Sequence, residues 1–302
     1  MNETLDFHAL SPATTPGVQF ENGEGGLPRL LVTSPQGDAA EIYLHGAHVT
    51  RYQAAGQRPL LFMSAASRFE AGKPIRGGIP LIFPWFGPRE GLPAHGVART
   101  QSWTLGAITF PPACGSVRVT LHLDCPAAAG FPAFAADYTI TVGATLGLEL
   151  AVTNRAPAGE LIFEDCLHTY FLISDIDQIA IQGLSGGEYL DKVGGAVLRR
   201  ENEPAIRIAS EVDRVYLDTT GTVTIRDAAW RRTIRVAKTG SASTVVWNPW
   251  IAKSRQMADF GDMEYPGMVC VESGNVGRNQ HRLAPGATSH LQVQLSAEPL
   301  AD

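Results

Sequence analysis

Apolar and polar residues alternate with a period of two along much of this chain. Within residues 117–123, Val and Leu alternate with Arg, Thr and His, and the same pattern returns at 146–152, 223–225, 234–236 and 291–295. Side chains with this period point to opposite faces of a strand, so each run predicts a strand with one buried face. Turn clusters separate the runs, and we expect roughly fifteen to eighteen strands at this spacing.

Helical periodicity is nearly absent. The one helix predicted follows Asn248, with Pro249 at its first position and Gly261 as its stop, and spans at most about three turns. So many strands exceed what a single sheet holds, and we therefore predict an all-β fold, a large antiparallel sandwich. No linker divides the chain, so residues 1–302 are expected to form one domain, with 1–27 as a loosely packed N-terminal segment.

The composition excludes several classes of function. Apolar and charged fractions of 44% and 18% are typical of a globular protein, and a net charge of -6 without any basic block argues against a nucleic-acid partner. Neither a signal peptide nor a membrane-length apolar run is present, so we expect no membrane association and a cytoplasmic location. The four cysteines have no ligand-type spacing and are expected to be free thiols: Cys114, Cys125, Cys166 and Cys270.

Residues 76–103 form an unusually apolar segment rich in Pro and Gly. Pro80 and Pro84 interrupt the apolar run, which predicts an irregular but buried loop. Arg76 beside two glycines precedes the run, and His95 and Arg99 follow it. Glycine lets a backbone approach a ligand closely while a guanidinium reaches it, so the segment is interpreted as one wall of a binding site. A buried loop with two surface arginines is the alternative.

Two further segments carry residues that suit acid/base chemistry. His168 lies among apolar and aromatic residues, and Glu272 ends an apolar strand. A buried carboxylate needs a partner or a chemical role, and a histidine near a carboxylate is a common acid/base pair. Taken singly, each residue could instead be structural, His168 as a hydrogen-bonded core histidine and Glu272 as an ion-pair partner.

Weaker candidates surround these two. Asp213, near a strand start, could bind a sugar hydroxyl or cap a turn, and Trp247 offers an aromatic face typical of carbohydrate sites. His45 and His48 have metal-like spacing but point to opposite faces of a strand and lack a third ligand. Since nucleotide-binding glycine motifs are also missing, we expect neither a metal nor a cofactor.

Taken together, these motifs resemble one family. The segments 76–87, 94–99, 167–171, 211–216, 247–260 and 269–276 occur in the order seen in the D-hexose-6-phosphate mutarotases, the glucose-6-phosphate 1-epimerase branch of the galactose mutarotase-like superfamily. The resemblance covers roughly residues 28–295 and implies an antiparallel β-supersandwich. It also implies a hexose 6-phosphate as the substrate, in an enzyme expected to be monomeric.

The resemblance implies a role for each candidate. It places the catalytic histidine at His168, the catalytic glutamate at Glu272, the substrate arginines at Arg76 and Arg99, and the substrate aspartate at Asp213. Family members often carry Gln where this chain has Ala94, so that contact is absent or replaced.

Anomer interconversion needs a base for the anomeric hydroxyl and an acid for the ring oxygen. We expect Glu272 to be the base and His168, kept protonated by the nearby carboxylate, to be the acid. The pH profile would then fall in acid as Glu272 gains a proton and in base as His168 loses one. Three alternatives remain: a mutarotase for free aldoses, a non-catalytic sugar-binding protein, and a glycoside hydrolase using Glu272 with Asp213 or Glu164.

Overall fold

The computed structural model describes residues 15–111, 115–127 and 131–300. Strands dominate it, as the alternation predicts. In chain order they are β1 (Val18–Asn22), β2 (Pro28–Thr33), β3 (Ala39–Tyr43), β4 (His48–Gln53), β5 (Leu81–Ile82), β6 (Thr104–Thr109), β7 (Val117–Cys125), β8 (Phe134–Val142), β9 (Leu146–Asn154), β10 (Leu161–Phe163), β11 (Asp165–Leu167), β12 (Tyr170–Leu172), β13 (Ile179–Gln182), β14 (Glu188–Asp191), β15 (Val197–Arg200), β16 (Val212–Leu217), β17 (Val223–Asp227), β18 (Arg232–Thr239), β19 (Ser243–Asn248), β20 (Met268–Asn275), β21 (His281–Leu283) and β22 (Thr288–Pro299).

Two eight-stranded antiparallel sheets form most of the molecule. The site sheet has the order β15-β14-β16-β19-β20-β11-β5, with β12 also paired to β20. The back sheet has the order β13-β17-β18-β22-β9-β8-β7-β6. A four-stranded sheet, β1-β2-β3-β4, and a two-stranded pair, β10-β21, complete the architecture. The predicted large antiparallel sandwich is confirmed.

The strand period explains where the candidate site residues lie. In β20, Val269 and Val271 point into the main apolar core, which contains residues of both large sheets. Cys270 points to the opposite face, where it packs with Tyr170 and Trp247. All of β20 is buried because one face packs in the core and the other lies under loops. Glu272, two residues after Cys270, shares that second face.

The segment 76–103 buries its apolar run, as its composition predicts. It is irregular except for β5 and a 3-10 turn at Ala98–Thr100. Ile79, Leu81 and Phe83 are fully buried, and the backbone N–H groups of Val97 and Ala98 donate to the Phe83 carbonyl at 2.9 and 3.2 Å. The loop is therefore a fixed wall of the site.

Helix content is small. The predicted helix is real but shorter than expected, since α1 covers only Trp250–Ser254, with the Asn248 Oδ1 accepting from the Trp250 N–H at 2.9 Å. Further 3-10 turns lie at Glu24–Gly26, Ile176–Gln178, Tyr265–Gly267 and Gly277–Asn279. In residues 15–111, 115–127 and 131–300, no helix is long and apolar enough to cross a membrane.

Two smaller predictions concern the N-terminal segment and the cysteines. Part of the N-terminal segment is packed and not loose, because β1 pairs with β2 over five residues and Leu27 is buried. Residues 1–14 lie outside the described residues. Cys125, Cys166 and Cys270 are free thiols, as predicted, whereas Cys114 falls outside the described part of the chain.

Candidate active site

His168 and Glu272 meet on the second face of the site sheet. Their closest approach, 3.3 Å, joins Nδ1 of His168 to Oε1 of Glu272. The loop wall fixes the histidine backbone, since the His168 N–H donates to the Pro80 carbonyl at 3.0 Å. Although the distance suits an ion pair, the geometry is misaligned, and Nδ1 has no hydrogen bond to any described residue. The two candidates predicted from separate motifs are thus adjacent.

Aromatic side chains hold the His168 ring. Tyr170 stacks on it with ring centroids 4.8 Å apart and planes 9° apart, and Trp247 presents its edge at 5.9 Å. Strand register explains this grouping, because Cys270 of β20 lies opposite both Tyr170 of β12 and Trp247 of β19. Packing on two sides leaves the imidazole few orientations, which is what a positioned proton donor or acceptor requires.

The protein environment disfavours charge on both members of the pair. Burial lowers the pKa of His168 well below its usual 6.5, and the positive charges of Arg76 and Arg99 act in the same direction. Burial raises the pKa of Glu272 well above its usual 4.5, although the Cys166 thiol, donating to its Oε2 at 3.4 Å, opposes that shift. These directions run against the expectation that Glu272 keeps His168 protonated. They favour a neutral imidazole beside a protonated carboxyl group.

Arg76 lies beside the pair and is held by two neighbours. Its Nη1 donates to the Tyr170 hydroxyl at 3.0 Å and its Nη2 to the Asp259 carboxylate at 3.1 Å. The buried Nε has no hydrogen bond to any described residue. Arg76 therefore combines a structural ion pair with one unused donor that an anion could accept from.

Arg99 has fewer hydrogen-bond partners than Arg76 among the described residues, and none of them is a carboxylate. Its Nη2 donates to the Ala94 carbonyl at 2.7 Å, and its buried Nε lacks a partner in the described part of the chain. Burial and the neighbouring charge of Arg76 lower its pKa to about 10, so it remains protonated at neutral pH. Two like charges held together with unused donors form a site that an anion would stabilise.

The remaining predicted residues also line this region. His95, at φ 66°, packs edge-on against Phe86 and 6.0 Å from the His168 ring, and its Nδ1 accepts from the Gly87 N–H. Burial lowers the pKa of His95 to about 3, so it is neutral. Asp213 of β16 lies directly opposite Trp247 of β19, and burial raises the pKa of Asp213.

Sequence reasoning missed Lys192. Its backbone N–H donates to the Asp213 carbonyl at 2.8 Å, and its Nζ lies 4.9 Å from the Phe86 ring centroid. Its charge lowers the pKa of Glu272 and of His95, which places the ammonium group at the site. Lys192 follows β14 in a Gly-rich hairpin, and that pattern resembles an ordinary exposed turn.

Two interpretations made from sequence need correction. Gly77 and Gly78 are required by the protein and not by a ligand, because a Cβ at these positions would lie 2.6 Å from the Phe62 carbonyl oxygen and 2.3 Å from the Val49 carbonyl oxygen. Glu164 is unavailable as a hydrolytic carboxylate. Its two oxygens accept from the Phe86 and Gly277 N–H groups at 2.9 and 2.6 Å.

His45 and His48 have structural roles. A ring nitrogen of His45 lies 2.7 Å from the Lys73 carbonyl oxygen, and one of His48 lies 2.9 Å from that of Gly77. Since burial lowers the pKa of His48 to about 3, its ring is neutral and donates to that carbonyl.

Comparison with known proteins places this chain among the aldose epimerases. Residues 28–296 match the family model described as aldose 1-epimerase. A protein from Cenchrus ciliaris named "Putative glucose-6-phosphate 1-epimerase" is 33% identical over 94% of this chain and 89% of its own length. One of the same name from Escherichia coli K12 is 34% identical over 84% of this chain and 85% of its own. The crystal structure of a "putative mutarotase" from Salmonella typhimurium superposes with a TM-score of 0.86, at 30% identity, over 95% of each chain.

Proposed function

The chain belongs to the aldose 1-epimerase family, and on that premise we propose that this isomerase interconverts the α and β anomers of hexose 6-phosphates, with glucose 6-phosphate as the first candidate. One observation carries the substrate class. A buried acid/base pair lies beside two guanidinium groups, Arg76 and Arg99, whose buried Nε atoms have no hydrogen bond to any described residue. The names of the Cenchrus and Escherichia relatives support the same substrate.

The reaction needs one shared proton and two positioned groups. One group removes the proton of the anomeric hydroxyl while the other protonates the ring oxygen, and the C1–O5 bond breaks. Rotation about C1–C2 presents the other face of the aldehyde, and the two groups exchange roles during closure. We assign these roles to His168 and Glu272, which together hold one exchangeable proton and are returned to their starting state. No step requires a metal or a covalent intermediate.

Substrate binding helps to set the proton's location. Without substrate, burial and the charges of Arg76 and Arg99 lower the pKa of His168, while burial raises the pKa of Glu272. A phosphate dianion bound to both arginines would offset those charges and raise the pKa of His168. The proton could then pass to the imidazole, giving the carboxylate base and imidazolium acid that ring opening uses.

The other site residues would hold the sugar. Asp213 and His95 offer polar atoms for its hydroxyl groups, and Trp247 offers an apolar face. Lys192 supplies a further cationic donor on the Asp213 side of the site. The monomeric state, the single-domain organisation and the cytoplasmic location stay predictions.

The direct test is anomer exchange measured by NMR on the wild-type protein, with glucose 6-phosphate, glucose and galactose in parallel. We expect the phosphorylated sugar to be exchanged most efficiently. Equal kcat/KM for glucose and glucose 6-phosphate would place the enzyme with mutarotases for free aldoses. Binding without faster exchange would make it a sugar-binding protein.

The pH profile of kcat/KM is expected to be bell-shaped, because the active pair carries one proton. In the free enzyme, activity falls in acid when the pair gains a second proton, on His168, at a pH well below 6.5. It falls in base when Glu272 loses its proton, at a pH well above 4.5. The sequence alone assigns the acid limb to Glu272 and the alkaline limb to His168, so the two assignments are exchanged here. Because the two groups are coupled, the apparent pKa of each limb belongs to the pair. Initial exchange rates across the pH range of stable fold give the profile.

Lys192→Met tests which group forms the alkaline limb. Lys192 stabilises ionised Glu272, so its removal should move the alkaline limb of the normalised profile to higher pH and leave the acid limb in place. Lys192→Arg keeps the charge and is the control. A shift of the acid limb alone would contradict the assignment of Glu272 to the alkaline limb.

A further inference from the structure

A third potential metal ligand lies next to the acid/base pair. Cys270 Sγ, one imidazole nitrogen of His168 and one carboxylate oxygen of Glu272 all lie within 4.8 Å of one another, and all three residues are buried. We propose that these side chains form a binding site for a soft divalent cation such as Zn²⁺, which inhibits anomer exchange by occupying the pair. The inhibitory part rests on the proposed function, whereas the metal site itself does not.

The donor set and its spacing suit zinc. Thiolate, imidazole and carboxylate are its usual protein ligands, and two ligands about 2.0 Å from a tetrahedral ion lie about 3.3 Å apart. His168 Nδ1 and Glu272 Oε1 are separated by 3.3 Å. That nitrogen is buried but has no hydrogen bond to any described residue. Its electron pair is therefore free to bind a metal ion beside the carboxylate. A sulfur and a nitrogen or oxygen ligand of a tetrahedral zinc lie about 3.5 Å apart, so the sulfur needs to approach by at most about 1.3 Å.

The charge of the donor set matches that of a divalent ion. A divalent ion with one thiolate, one carboxylate and a neutral imidazole has no net charge, which a buried site tolerates. Binding forms Zn–S, Zn–O and Zn–N bonds and releases the thiol and carboxyl protons to water. Because the ligands lose these protons on binding, the apparent affinity should rise with pH.

Cys166 is the other thiol near Glu272 but is a poorer ligand. It donates to the second carboxylate oxygen, Oε2, at 3.4 Å, and among the described residues the group with metal-ligand spacing contains Cys270 and not Cys166. Cys166 also points into a separate apolar cluster with Ile82 and Val245. The proposal thus distinguishes two buried cysteines in the same sheet.

Metal binding is measured first, without substrate. Zn²⁺ is titrated into the metal-free protein by calorimetry, and Co²⁺ is added separately because its absorption spectrum reports thiolate ligation. We expect one tight equivalent in wild type and in the Cys125→Ser control, and at least a 30-fold loss of affinity in both Cys270→Ser and His168→Asn. Circular dichroism shows that each variant is folded, and Cys270→Ala replaces Cys270→Ser if the latter is not. Wild-type affinity in a folded Cys270 variant, loss in Cys166→Ser alone, or no tight site at all would overturn the proposal.

Inhibition is then measured with each variant's own metal-free rate as its reference. Zn²⁺ at concentrations that fill the site should stop wild-type exchange, EDTA should restore it, and Mg²⁺ should have no effect. Cys270→Ala should need at least 30-fold more Zn²⁺. Tight binding that leaves wild-type exchange unaffected would overturn the inhibitory part. A wild-type protein without exchange would contradict the proposed function, while the binding result would stand.

Discussion

Replacing Glu272 with Gln is expected to lower the rate of hexose 6-phosphate anomer exchange by about 10²–10⁴-fold, and His168→Asn should do the same. Each change keeps the approximate shape of the side chain but removes its ability to take up and release a proton. Both residues are buried, with exposures of 1% and 8%, so water cannot easily replace the missing group. NMR exchange rates at several enzyme concentrations, with the uncatalysed rate subtracted, give the loss.

A matched control separates chemistry from folding. Glu201 is also a buried carboxylate, but it accepts hydrogen bonds from Arg214 and the Tyr216 hydroxyl, at 3.0 and 2.8 Å, away from the pair. Glu201→Gln should cost stability and leave exchange within a few-fold of wild type. If Glu272→Gln lost no more exchange than Glu201→Gln, the carboxyl group would have no part in proton transfer.

The double variant tests whether the residues act as a unit. Once either group is absent the proton cannot be returned, so Glu272→Gln combined with His168→Asn should lose little more than the more severe single variant. Losses that multiply would mean that the two side chains contribute independently. The two would then not form a proton-sharing pair.

The fold was largely predictable because alternation directly encodes burial. Val269 and Val271 point to the core while Cys270 points to the site, and the period of two in the sequence already separates these residues into two faces. The helix predicted after Asn248 was too long because residues beyond Ser254 continue the same apolar spacing. In the structure they turn back, and Ser254 Oγ donates to the Asp262 carbonyl at 3.1 Å. Such local closure depends on tertiary contacts that a pattern does not contain.

The sequence predicts which residues form the candidate site but not their electrostatics. Motifs indicated His168 and Glu272, yet their protonation states depend on complete burial and on two arginines from a distant segment. Lys192 was missed since only strand pairing brings its hairpin beside Asp213. Tyr170 and Asp259 were missed as partners of Arg76 because those contacts join residues far apart in the sequence.

Arg99→Ala is expected to weaken exchange of glucose 6-phosphate by about one to two decades in kcat/KM, because a charge-assisted hydrogen bond to a phosphate contributes roughly 1.5–3 kcal/mol. Exchange of free glucose should change far less. Arg99 is the discriminating position, since its guanidinium has no carboxylate partner among the described residues and its main fixed contact is the Ala94 carbonyl. Arg76→Ala should weaken phosphosugar exchange similarly, but it also leaves Asp259 unpaired and Tyr170 without its donor. It should therefore impair both substrates to some degree.

The quantity to compare between variants is kcat/KM for glucose 6-phosphate divided by kcat/KM for glucose. NMR exchange gives both constants for each variant. Arg99→Lys keeps the charge but not the planar two-nitrogen contact, so its ratio should lie between those of wild type and Arg99→Ala. Arg235, exposed on β18 of the back sheet, provides the charge-matched control, and Arg235→Ala should leave the ratio unchanged. The reason is that an acidic protein attracts a dianion through placed groups and not through its overall field. Should Arg99→Ala lower both specificity constants equally, Arg99 would shape the pocket without contacting the phosphate, and the preference for a phosphorylated sugar would need another source.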